Sequence, residues 1–90
     1  MQTKFLLGAL SMTPEARMVL KRLPYDLIAR HAVNDYGTIS DKQRETNEHS
    51  MKVIGPVVSR YRVDPTKSKT RWVRIETDAT WGSTLVKIEP

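Results

Sequence analysis

Ninety residues without a cysteine make one small domain, residues 1–90, with neither disulfides nor a thiolate metal site to staple it. A core of this size carries little surplus stability, which leaves room for a partner or for a homo-oligomer to contribute. The formal charge of +5 is uneven: residues 53–74 alone carry a net +5, and residues 75–90 carry −2.

The opening "MQTKFLLGALSM" holds one Lys and the apolar run FLLGAL. That run is too short for a signal-peptide core or a membrane span, so it reads as a first strand, Lys4 to Leu10, and the absence of cysteine suits a cytoplasmic protein. Thr13 is an N-cap, Pro14 suits the first helical position, and Glu15 complements the helix dipole. A helix to about Arg22 then places Ala16, Val19, Leu20 and Leu23 on one face. Pro24 ends it and opens a second helix to about Val33, with Leu27, Ile28 and His31 together. "NDYG" is a turn in which Gly37 is free to take positive φ.

Ser40 with Gln43 three residues on is a capping-box pattern, predicting a third helix to about Met51. It is polar almost all round, leaving only Ile39, Met51 and one of Thr46 or Asn47 to face a core. The pattern then changes period. "VVSRYRV" (57–63) and "TRWVRIET" (70–77) alternate, joined by the polar loop "DPTKSKT", and "TLVKI" alternates after the turn "DATWGS". The order β-α-α-α-β-β-β predicts an α+β domain of two layers, its helices packed on one face of a small antiparallel sheet.

Residue types that bind metals or move protons cluster between His31 and His49, with Asp35, Asp41, Glu45 and Glu48 between them. Their spacing carries no known chemistry. There is no H-E-x-x-H, the turn separates His31 from Asp35, and the i, i+4 pair Glu45 and His49 has no third ligand at a fixed offset. His31 reads as a packed side chain. With no G-x-S-x-G and no glycine-rich phosphate loop, no catalytic residue, metal or cofactor is expected. A ribonuclease-type toxin built from His49, Arg60, Tyr61, Arg62 and Arg74 is the third reading, since such sites need no local motif.

The hairpin is the principal candidate binding surface. Alternation puts Arg60, Arg62, Trp72 and Arg74 on one sheet face, with Lys67 and Lys69 at the tip. Arg and Lys meet phosphates and an aromatic stacks on bases, but Trp and Arg also dominate protein interfaces. A third arrangement buries Trp72 under the helices and leaves the arginines as its rim. Glu45, Glu48 and His49 form a secondary contact surface.

The pieces "MTPEA", "ARHAVNDYG", "VVSRYRV" and "RWVRIETDATWGSTLVKIEP" resemble a family of short bacterial proteins carried on plasmids, integrative elements and prophages. Its members are often called plasmid-related proteins and sometimes labelled as a type I restriction subunit. Asp41, Asn47, Ser59, Tyr61, Trp72, Glu76, Asp78 and Thr84 fall on matching positions, and the resemblance covers nearly the whole chain. "NDYG" departs from the family's G-D-W-G, "VKIEP" from its L-L-P ending, and Ala79 stands where the family has an arginine. Ninety residues cannot hold a methyltransferase or a specificity subunit, so that label does not carry over.

The resemblance implies a gene that travels with mobile DNA. Small proteins of that kind often act by binding, and an inhibitor of a CRISPR or restriction complex needs only a surface that occludes one. A basic chain is not a DNA mimic; it suits an acidic groove of a host protein or the nucleic acid of a ribonucleoprotein. The leading expectation is therefore a non-enzymatic inhibitor of a host defence nuclease, of anti-CRISPR or anti-restriction type. The alternative is a small nucleic-acid-binding regulator using the same face.

Overall fold

The computed structural model describes residues 3–89. In chain order these form β1 (Ala9–Met12), α1 (Pro14–Leu20), α2 (Tyr25–Ala32), α3 (Asp41–Lys52), β2 (Val57–Arg62), β3 (Trp72–Thr77) and β4 (Ser83–Glu89). The strands lie in the order β1-β4-β3-β2. The expected α+β order is present, with one correction to the sheet. β2, β3 and β4 are antiparallel neighbours, but β1 runs parallel to β4, so the sheet is mixed. Alternation specifies which side chains share a face; it says nothing of a strand's partner or direction.

The first strand also begins later than FLLGAL suggests. Gly8 takes φ 65°, and a Cβ there would lie 2.2 Å from the backbone of Gly82. The chain turns at this glycine, so Phe5 is not a strand residue. It is buried edge-on against the His31 ring, at 5.1 Å between centroids.

Helix α1 starts as its sequence dictates, with the Ala16 N–H donating to Thr13 Oγ1 at 3.1 Å. Ala16, Val19 and Leu20 of α1 and Leu27 and Ile28 of α2 pack on the inner sheet face, against Tyr61, Val73, Ile75, Val86 and Ile88. The C-terminal end of α2 is tied to the following turn. Arg30 donates twice to Asp35, at 2.7 and 3.2 Å, and the Tyr61 hydroxyl donates to the Asp35 carbonyl.

The polar helix α3 docks by hydrogen bonds rather than by an apolar stripe. Ser40 caps it, accepting from the Gln43 N–H at 3.0 Å, but the Gln43 side chain reaches forward to Asn47 instead of back to Ser40. Asn47 is fully buried, whereas Thr46 is exposed. Its amide nitrogen donates to the Val58 carbonyl at 2.8 Å, and the Val58 N–H donates to its Oδ1 at 3.0 Å. One side chain thus imitates a neighbouring strand along the outer edge of β2.

The "NDYG" turn completes that edge. The Arg60 N–H donates to the Tyr36 carbonyl at 2.9 Å, and the Thr38 N–H to the Arg60 carbonyl at 2.8 Å. Gly37 sits between them at φ 69°, where a Cβ would fall 2.2 Å from the Arg60 carbonyl oxygen. Only glycine fits here, for conformation and for space. With residues 36–38 and Asn47 in place, β2 presents no open ladder over Val58 and Arg60.

Candidate binding surface

Among the described residues the outer face of β2, β3 and β4 leaves Arg60, Arg62, Trp72, Arg74 and Lys87 at least partly exposed, with the first turn of α3 only at its β2 border, so Trp72 does not lie under the helices. The centre of this face repeats one charge. Arg60, Arg74 and Lys87 stand directly opposite one another across three strands. Like charges so placed repel. Two carboxylates resolve this: Glu89 accepts from Arg60 at 2.8 Å and Arg74 at 3.4 Å, and Glu76 accepts from Arg74 at 3.0 Å and pairs with Lys87 at 2.8 Å. The result is an alternating chain, Arg60–Glu89–Arg74–Glu76–Lys87. Burial alone would raise the Glu76 carboxyl; the hydrogen bonds from Lys87 and Arg74 outweigh it and hold the group below its ordinary value.

Trp72 is fixed beside this chain. The Arg60 guanidinium carbon lies 3.7 Å from the indole centroid, and that of Arg62 lies 5.6 Å away. Arg60 is thereby held from two sides, by the ring and by Glu89. The four sheet residues expected to share a face, Arg60, Arg62, Trp72 and Arg74, do share it. Lys67 and Lys69 are exposed at the hairpin tip, Lys67 only loosely paired with Asp64 at 3.9 Å. Arg62 is exposed, with a 3.4 Å contact to the Lys67 carbonyl. The less compensated positive charge of the hairpin therefore sits toward its tip, and the centre of the sheet face is close to neutral.

Alternation puts Glu76 on the face of Trp72 and Arg74, but sequence reasoning missed Lys87 and Glu89 as parts of this surface and the ion pairs that all three make there. The signal was the −2 carried by residues 75–90 beside the +5 of residues 53–74. Antiparallel pairing of β3 with β4 brings those two segments together.

His31 belongs to the core. It is fully buried, with Nδ1 2.5 Å from Ser59 Oγ and Nε2 2.9 Å from Thr77 Oγ1. Thr77 Oγ1 lies 2.7 Å from Thr84 Oγ1, which donates to the Leu7 carbonyl at 2.7 Å. The end of this series fixes its direction. A carbonyl only accepts, so Thr84 donates to Leu7 and accepts from Thr77. Thr77 then accepts from His31 Nε2–H, and Ser59 donates to the bare Nδ1. Burial pushes the imidazole down to about 4, so it is neutral at pH 7.

Glu45, Glu48 and His49 are all exposed on α3. Among the described residues no group of three or more His, Cys, Asp or Glu could hold a metal ion. The five residues of the ribonuclease reading are not brought together. Tyr61 faces the core, opposite to Arg60, Arg62 and Arg74, and burial pushes its phenol up to about 12.

Asp78 organises the last turn. Its Oδ1 accepts from the Gly82 and Thr80 N–H groups at 2.9 and 3.1 Å and its Oδ2 from the Ser83 hydroxyl at 2.9 Å. These bonds, with Gly82 foremost, hold its carboxyl down at about 2. Trp81, at φ 60°, donates from Nε1 to the Gly55 carbonyl at 2.8 Å. Asn47, Ser59, Tyr61, Asp78 and Thr84, all positions on which the family resemblance rests, thus serve the scaffold here.

Among the described residues no helix is long and apolar enough to cross a membrane. Comparison with known proteins finds no matching family model, no matching curated protein and no matching solved structure.

Proposed function

We propose that this is a non-enzymatic binding protein of mobile-genetic-element origin, which inhibits a host defence nuclease complex by laying its open sheet face on it. The observation that carries the reading is Trp72 packed against Arg60 and Arg62. An aromatic side chain with two arginine guanidiniums against its ring, on a face that no helix crosses among the described residues, is ordered before any partner arrives. Rigid Trp and Arg anchors lose little conformational freedom on binding and dominate interface energetics. The near-neutral centre of the face favours a protein partner over a phosphate backbone, because its cations already hold carboxylates. The enclosure of His31 and the burial of Tyr61 on the face opposite the arginines favour occlusion over catalysis.

The test is phage plating on a host that carries its defence nuclease and on one that lacks it, each with and without the protein. Inhibition raises plating only in the host with the defence. Equal plating with and without the protein in both hosts sinks the reading. Growth arrest without phage, abolished by His49→Ala, would favour the toxin instead.

A further inference from the structure

The two edges of the sheet are treated differently. The edge of β2 is closed by Asn47 and residues 36–38, whereas β1, at the other edge, has no such cover among the described residues. The Ala9 N–H donates to the Gly82 carbonyl at 3.1 Å and the Thr13 N–H to the Val86 carbonyl at 3.0 Å. Residues 9, 11 and 13 therefore direct their backbone groups at β4, and Leu10 and Met12 direct theirs outward, since consecutive residues of a strand alternate. The two outward N–H and two outward C=O groups have no hydrogen-bond partner among the described residues. That is a short template for strand addition.

The surroundings of this edge select what adds to it. Leu10 and Met12 line one groove with Leu23 and with three exposed cations, Arg17, Lys21 and Arg22. None of these three forms an ion pair among the described residues, unlike Arg71 of the hairpin, which holds Glu15 at 2.9 Å. A second copy of this chain is disfavoured at the same edge, because pairing two β1 strands brings both cationic sets together. We propose that the β1 edge, with Arg17, Lys21 and Arg22, is a strand-addition site for an extended acidic peptide segment of a partner protein. The backbone of Leu10 and Met12 supplies up to four hydrogen bonds. Side chains on one face of the added strand enter the groove, where the three cations take their carboxylates and Leu10, Met12 and Leu23 cover their aliphatic stems. This site is separate from the Trp72 face, and neither depends on the other.

The probe is a fluorescein-labelled octapeptide alternating Glu and Val, titrated with the full chain and read by anisotropy. Three control peptides accompany it: one alternating Lys and Val, and two Glu–Val peptides with alternate amides N-methylated, one in each register. Binding of the Glu–Val peptide alone, with amide shifts in NMR centred on Leu10 and Met12, is the expected result. The double variant Arg17→Glu with Lys21→Glu should weaken it by about tenfold or more. Absence of binding overturns the proposal, as does equal binding of the Lys–Val peptide. Binding unaffected by N-methylation in either register overturns strand addition even if the double variant fails to fold. Concentration-dependent dimerisation that shifts Leu10 and Met12 and excludes the peptide assigns the edge to a second copy and overturns it too.

Discussion

The guanidinium of Arg60 lies 3.7 Å from the centroid of the Trp72 ring while its Nε donates to Glu89 at 2.8 Å. The two residues are diagonal neighbours, since Arg60 is registered with Arg74 and Trp72 with Arg62. The contact therefore crosses the ladder diagonally from β2 to β3. A cation over an aromatic at a partly exposed site contributes about 0.5–1 kcal/mol. A double-mutant cycle of Arg60→Gln with Trp72→Ala in urea denaturation should return a coupling of that size. Additive losses would show that the stack is geometric only.

The imidazole of His31 makes the fold acid-sensitive. Its folded-state value, about 4, lies below the ordinary 6.5. As pH falls from 6.5 toward 4 the unfolded chain takes up a proton that the folded chain refuses, so stability drops through that window. The total loss is about 3 kcal/mol, from about 1.4 kcal/mol per pH unit. His31→Gln should be less stable at pH 7 yet lose this slope; urea midpoints measured across the window decide. The carboxylates of Asp35, Glu76 and Asp78, all held low, lose their contribution at lower pH still. Nitrogen NMR should also find the His31 proton on Nε2.

Asn47 is the most consequential polar residue of α3. Asn47→Ala leaves the Val58 N–H and C=O unpaired at a buried position, at a cost of roughly 2–4 kcal/mol. It also reopens the β2 edge, so the variant should self-associate at concentrations where the parent stays monodisperse. Thermal denaturation and light scattering check the two effects. A loss below about 1 kcal/mol would mean that water replaces the amide.

Gly37→Ala should be among the most damaging single changes outside the apolar core. Positive φ costs an L residue about 1–2 kcal/mol, and the new methyl carbon would meet the Arg60 carbonyl at 2.2 Å. Hydrogen exchange at the Arg60 and Thr38 amides, which close this edge, should rise most. Uniform loss of protection would instead point to global destabilisation.

What the sequence made legible was whatever repeats with a local period. Residues 57–63 and 70–77 displayed their two faces through strict alternation, and Thr13 and Ser40 announced their helices through capping chemistry. Non-local partners were not legible. His31 reads as one packed histidine, yet its partners Ser59 and Thr77 stand 28 and 46 residues away. Glu89 could be placed on Arg60 only after β4 was known to lie beside β3. The parallel direction of β1 left no periodic mark, and the kink at Gly8 depends on the approach of Gly82. The same limit applies to the site. The grouping of Arg60, Arg62, Trp72 and Arg74 followed from alternation, whereas its near-neutral centre depended on register.

The proposed function places the contact on the open sheet face, not on the hairpin tip or α3. The most direct measurement compares three variants in the plating assay on the host with its defence nuclease. They are Trp72→Ala, Lys67→Ala with Lys69→Ala, and Glu45→Ala with Glu48→Ala, each first verified as folded by circular dichroism. Loss of protection from phage defence in Trp72→Ala alone is the expected result. Full activity of a folded Trp72→Ala protein, with loss in either of the other two, would contradict it.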